Sequence, residues 1–121
     1  MGKFDHLGIQ ISDLDASRAW WRDALGLTIE MDNPVAGFCS LKDDADFAVF
    51  LGKVAHKPET SGLGLWLQVD DVEAFHAAKS AAGVRFDHPP QKTYWGYGAQ
   101  LSDPDGHKLY IWDDASMKAK G

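Results

Sequence analysis

At 121 residues and 13.3 kDa, with 45% hydrophobic and 25% charged residues, the chain has material for one folded domain and too little for two independent ones. Twelve basic residues against eighteen acidic ones give a net charge of −6, which argues against a nucleic-acid partner, since phosphate binding needs clustered Lys and Arg, and favours cationic small molecules. No apolar run reaches the ~18 residues of a membrane span, MGKFDHLGIQI has no apolar core before a small-residue cleavage site, and Cys39 is the single cysteine, so a cytoplasmic protein without a membrane partner is expected.

The first element is a strand, because Leu7, Ile9 and Ile11 alternate with Gly8, Gln10 and Ser12. A helix follows over about 13 to 25, marked by Ser12 with Asp15 three residues on and ending near Gly26. Strand-like pieces then lie at about 27 to 32, 36 to 42 and 46 to 51, and HKPETSG reads as a polar linker over about 55 to 61. Leu65, Leu67 and Val69 open a second strand, alternating with Trp66, Gln68 and Asp70. Asp70 with Glu73 starts a second helix over about 71 to 82, ending at Gly83. The last strands are expected at about 84 to 86, 97 to 102 and 107 to 112, with the final two joined by a Asp103-Pro104-Asp105-Gly106 turn.

This order of elements is a repeat. FDHLGIQISDLDA from Phe4 aligns without a gap on GLGLWLQVDDVEA from Gly62, an offset of 58 residues that pairs Leu7 with Leu65, Gln10 with Gln68 and Asp13 with Asp71. Strand, helix and three strands therefore occur twice, in an α+β chain of two tandem βαβββ modules. The modules cover about 3 to 54 and about 62 to 114 of a single domain spanning 1 to 121, and a polar C-terminal tail follows. Neither module is expected to be stable alone, because each would leave one sheet face bare.

FDHLGIQISDLDASRAWWRDALGL, LSDPDGHKLYIWD and the repeat resemble the vicinal oxygen chelate superfamily of glyoxalase I, bleomycin and fosfomycin resistance proteins and extradiol dioxygenases. The resemblance covers essentially the whole chain. It implies paired modules whose sheets curl around a cavity, assembled as a homodimer. Metal-dependent members hold a divalent ion with residues of both modules, and His6 matches the first ligand position. The second falls on Gly64, which has no side chain, and the last-strand position falls on Tyr110, whose phenol titrates near ~10. Asp46 alone stands at the edge of the strand that sometimes gives a fourth. One imidazole does not hold zinc, nickel or iron, so no cofactor is expected, with a divalent metal completed by other residues as the alternative. His56, His76, His88 and His107 show no ligand spacing and read as exposed loop or helix histidines.

If the ligand positions of the family face its cavity, strand parity puts His6, Gly8 and Gln10 there from the first strand. Gly64, Trp66 and Gln68 follow from the second module, with Lys108, Tyr110 and Trp112 from the last strand, while Leu109 and Ile111 pack under a helix. The glycine-punctuated KTYWGYG adds Tyr94, Trp95 and Tyr97 as a lid or stacking wall. The ligand-binding residues expected are thus His6, Gln10, Trp66, Gln68, Tyr94, Trp95, Tyr97, Tyr110 and Trp112. Rings with a few convergent polar groups make a small-molecule site, and electron-rich rings on a negative chain suit an aromatic or cationic ligand. That is the metal-free, drug-sequestering branch of the family. The alternative is a lyase, isomerase or dioxygenase-like enzyme, with a rearranged metal site or with His6 and Tyr110 as an acid-base pair. A regulatory module without a ligand is a third reading. Trp20 and Trp21 read as helix core, and Cys39 as a strand residue rather than a nucleophile.

Overall fold

Asp13 and Asp71, the pair that the repeat superimposes, begin the two longer helices in the same way. Each sits in extended backbone (φ −131°, ψ 107° and φ −151°, ψ 107°) and accepts the N–H of the residue three on, Ala16 or Ala74, at 3.1 and 3.0 Å. The expected caps, Ser12 and Asp70, lie one residue too early; the carboxylates of Asp13 and Asp71 satisfy the first-turn donors instead.

A computed structural model describes all residues from Met1 to Gly121. The chain divides into two units, Met1–Thr60 and Ser61–Gly121. The first contains β1 (His6–Ile11), α1 (Leu14–Asp23), β2 (Thr28–Asn33), β3 (Phe38–Lys42) and β4 (Ala48–Lys53), with strand order β1-β4-β3-β2. The second contains β5 (Gly64–Gln68), α2 (Val72–Ala81), β6 (His88–Thr93), β7 (Gly96–Ser102), β8 (Lys108–Trp112) and α3 (Asp114–Lys120), with order β5-β8-β7-β6. In each sheet the first strand pairs parallel with the last and the other pairings are antiparallel. The tandem βαβββ architecture expected from the repeat is thus the observed one.

One face of each sheet is closed by a helix. In the first unit α1 packs on β2, β3 and β4, and its stripe of Leu14, Ser17 and Trp21, spaced i, i+3 and i+7, is buried with Trp21 only 1% exposed. The sheet of this unit buries Ile9, Ile11, Cys39, Leu41, Val49 and Leu51. The second unit buries Val72, Ala99, Leu101, Leu109 and Ile111, with α2 on β6 and β7 and α3 on β7. Leu109 and Ile111 therefore do lie on the covered face, and Tyr110 on the other.

Two expectations for the second half are corrected. The strand after α2 is His88–Thr93, not 84 to 86. Val84 donates its N–H to the Lys79 carbonyl, and Phe86 packs edge-on against Phe75 and His76, so the apolar residues there finish the helix rather than start a strand. The observed strand carries Pro89 and Pro90 at the shift of register between His88 and Gln91, which an outermost strand tolerates because prolines cannot donate to a ladder. His107 is buried, not exposed: Asp103 accepts the N–H groups of Asp105 and His107 at 3.0 and 2.8 Å and folds the turn over it.

The polar residues at the end of the chain form the helix α3. Its cap, Asp113, is 2% exposed. Oδ1 accepts the N–H of Ser116 at 2.6 Å, while Oδ2 accepts the N–H of Val72 at 2.6 Å and the Ser116 hydroxyl at 3.0 Å, so one carboxylate serves the starts of two helices. Burial alone would raise its pKa, but these hydrogen bonds outweigh it and hold the group below its ordinary 3.8.

Asp113→Ala is expected to lower unfolding free energy at pH 7 by about 2 kcal/mol, because it removes a cap and leaves buried donors unpaired. Since the folded pKa lies below the unfolded one, the carboxylate stabilises above the unfolded value, and its contribution fades as pH falls from about 5 through the folded value. Denaturant titrations across that range should show a shallower acid loss in the variant than in the wild type.

Candidate functional site

The face of the second sheet opposite its helices is built by the parity of β5 and β8. Gly64, Trp66 and Gln68 stand in register with Lys108, Tyr110 and Trp112, and Gln100 and Ser102 of β7 continue the rows beside Tyr110 and Lys108. Trp66 and Tyr110 stack, with ring centres 4.4 Å apart and planes at 24°. Trp95, from the turn between β6 and β7, meets both edge-on, at 6.0 Å and 89° to Trp66 and at 5.8 Å and 71° to Tyr110. Trp66 remains 47% exposed, so a three-ring cluster presents flat surface to solvent.

Two glycines make room for these rings. A Cβ at Gly64 would sit 2.8 Å from a ring carbon of Tyr110 and 3.0 Å from one of Trp66. At Gly98 it would meet the Trp95 ring at 2.4 Å and the Ile111 carbonyl oxygen at 2.2 Å.

Beside the rings lies a polar cluster. Asp87 receives the Ser102 hydroxyl at 2.7 Å and the Gln100 amide at 2.8 Å, both on Oδ2. The Lys108 ammonium donates to Ser102 Oγ at 2.7 Å and lies 3.6 Å from the same carboxylate oxygen. Burial would raise the Asp87 pKa, yet the Ser102 and Gln100 hydrogen bonds and the Lys108 charge lower it overall. Burial pushes the Tyr110 phenol up, helped by the nearby Tyr94 and Asp87. At neutral pH Tyr110 is a neutral hydroxyl.

The remaining expected site residues are distributed unevenly. Gln68 and Trp112 lie on the same face, one step along the strands from the ring cluster. Tyr94 is 91% exposed at the hairpin tip. Tyr97 is not on the face: its hydroxyl donates to Glu73 Oε1 of α2 at 2.6 Å and its ring lies under Lys120, so it is a helix contact. The reason is parity, since Tyr97 shares the covered side with Ala99 and Leu101. His6 and Gln10 belong to the first unit. There the His6 Nδ1 is 2.7 Å from Asp5 Oδ1, its ring lies 4.9 Å from Phe50, and Gln10 Oε1 accepts the N–H of Glu59. Asp87, Gln100 and Ser102 were not among the expected residues. Alternation of Gln100 and Ser102 with Ala99 and Leu101 was the signal for two of them.

The donor set does not fit the divalent metal of the resemblance. Gly64 carries no donor and has no room for one, Tyr110 keeps its proton, and no three His, Cys, Asp or Glu side chains converge as an ion requires.

The description of the glyoxalase/bleomycin resistance protein/dioxygenase superfamily matches residues 3–111. The chain belongs to that superfamily. No curated protein matches it, but solved structures of the superfamily do. It is similar to TnmS3, an antibiotic binding protein from Streptomyces sp. CB03234, at 26% identity over 93% of this chain and 96% of that one, with a TM-score of 0.77. A superfamily member from Sphaerobacter thermophilus DSM 20745 aligns at 23% identity over 94% and 98%, with a TM-score of 0.75. Lactoylglutathione lyase from Agrobacterium tumefaciens aligns at 16% identity over 93% and 94%, with a TM-score of 0.72. The latter two, under 25% identical, share the superfamily's fold. No helix is long and apolar enough to cross a membrane.

Gly64→Ala is expected to cost about 1 to 3 kcal/mol, the range for adding a group to a filled space. Its near-UV circular dichroism should lose the coupled signal of the Trp66–Tyr110 pair. An unchanged spectrum and stability would mean that the rings do not occupy that space.

Proposed function

We propose that this superfamily member binds a small planar aromatic or cationic molecule on the ring-bearing face of its second sheet, by stacking and hydrogen bonding, without a metal and without turning it over. Sequestration of an antibiotic is the activity this reading assigns. The observation that carries it is the filling of the Gly64 position by the Trp66 and Tyr110 rings, which substitutes flat aromatic surface for an ion-holding side chain. A cation over an exposed Trp face gains about 0.5 to 2 kcal/mol, and a planar ring gains by stacking there. The likeness to an antibiotic binding protein at 26% identity supports the same reading. We place the protein in the cytoplasm as a homodimer, on the family resemblance and on its lone thiol, Cys39, which is buried in β3 and pushed up in pKa by that burial.

A second reading is acid-base catalysis at His6. It is favoured by the Asp5–His6 contact, which holds Nδ1 and leaves Nε2 as the free ring nitrogen. Tyr110, whose phenol burial pushes up, keeps its proton at neutral pH and so cannot be the proton acceptor of such a pair.

Isothermal titration of planar aromatic and cationic compounds decides between them. Trp66→Ala should weaken binding at least about tenfold, the scale of one lost stacking contact of 1 to 2 kcal/mol. Its melting point should stay near that of the wild type, because the ring is half exposed. His6→Asn should leave binding unchanged. Metal analysis should find no stoichiometric ion, and chelator should not move the melting point; a stoichiometric ion would overturn the proposal.

A further inference from the structure

Asp87 is bonded on one side only. Ser102, Gln100 and Lys108 all address Oδ2, and Oδ1 receives no donor. The Lys108 ammonium has three N–H groups; it spends one on Ser102 Oγ and lies 3.6 Å from Asp87, which leaves further capacity to donate. Both groups are partly exposed, at 34% for the Asp87 side chain and 44% for that of Lys108. Both flank Tyr110: Lys108 precedes it by two residues on the same face of β8, and Gln100, which holds Asp87, is its register partner in β7. A fixed acceptor and a fixed donor thus stand side by side at the margin of the ring cluster.

We propose that this pair is a recognition subsite for a planar ligand whose edge carries a hydrogen-bond donor next to an acceptor, as in a cyclic amide. The inference rests on the proposed aromatic-binding function and names the ligand class for that site. The ring system stacks on Trp66, its N–H is accepted by Asp87 Oδ1, and its carbonyl oxygen accepts from Lys108. Because Lys108 balances the charge of Asp87, the subsite favours a neutral polar edge over a bare cation. Ser102 and Gln100 fix the carboxylate's orientation, so they act as positioning residues.

The orientation has a consequence for mutagenesis. In Asp87→Asn the Ser102 hydroxyl and the Gln100 amide still require an oxygen at the Oδ2 place, which turns the NH2 group to the Oδ1 place. The substitution therefore replaces the outward acceptor by a donor without changing shape. Lys108→Met removes the donor and retains much of the stem.

The test is isothermal titration of the full-length protein with three matched probes: 2-quinolone, N-methyl-2-quinolone, which lacks the donor, and N-methylquinolinium, which is cationic. The wild type is expected to bind 2-quinolone about tenfold more tightly than either of the others, the scale of one hydrogen bond to a charged group. Asp87→Asn and Lys108→Met should each reduce that preference to within about twofold, with Trp66→Ala weakening all three probes. Melting curves accompany each variant, and if Asp87→Asn unfolds, Lys108→Met alone carries the result. Trp66-dependent binding with no preference for 2-quinolone, a preference that survives both substitutions, or tighter binding of N-methylquinolinium would overturn the subsite and leave the aromatic-binding function standing. Failure of all three probes to bind, or binding indifferent to Trp66, would overturn that function and the subsite with it.

Discussion

The space above Gly64 is already occupied, and most of the chemistry of the second sheet follows from what occupies it. Trp66 and Tyr110 lie face to face over a backbone with no Cβ, close enough that even a methyl group at position 64 would reach within 2.8 Å of a ring carbon. Gly98 does the same for Trp95 two strands across, on β7. The rings therefore rest against the sheet rather than standing off it, and close packing against its backbone fixes their geometry. A side chain that would coordinate an ion and a ring that would stack on a guest compete for one volume, and here the rings have it.

Around that hydrocarbon surface the charges are arranged for balance rather than for attraction. Asp87 is ionised by its hydrogen bonds despite partial burial, and Lys108 sits beside it, so the margin of the face is dipolar although the chain as a whole is acidic. Tyr110 is shielded from ionising by the same surroundings. A fold shared by proteins described as a lyase and as an antibiotic binder leaves function to such local details, since architecture alone does not decide among chemistries.

The parts of this arrangement that repeat with period two were legible in the amino-acid sequence. Alternation in GLGLWLQ and HKLYIWD placed Trp66 and Tyr110 opposite the aliphatic rows, and the 58-residue offset supplied both modules and the significance of Gly64. Period two misled nowhere on those strands. Tyr97 was assigned to the site from its place in a loop-like segment, whereas β7 begins at Gly96 and its parity turns Tyr97 to the helices. The strand His88–Thr93 was missed because two prolines and four polar residues carry no alternation, and an outermost strand needs none. Asp87 and the reach of Asp113 to Val72 escaped notice for another reason: those partners are 13 to 41 residues away, and no local spacing encodes such contacts, unlike the three-residue step from Asp113 to Ser116.

Asp113 has a consequence beyond its own hydrogen bonds. Because a single carboxylate ties the opening turn of α2 to the opening turn of α3, the last residues of the chain are not an appendage that can be trimmed or tagged freely. Lys120 is the last residue of α3, and Val72, bonded to the same anchor, stands at the end of the loop that leaves β5, the strand bearing Trp66. An affinity handle placed at the C-terminus is thus tied, through two short links, to the strand that carries Trp66.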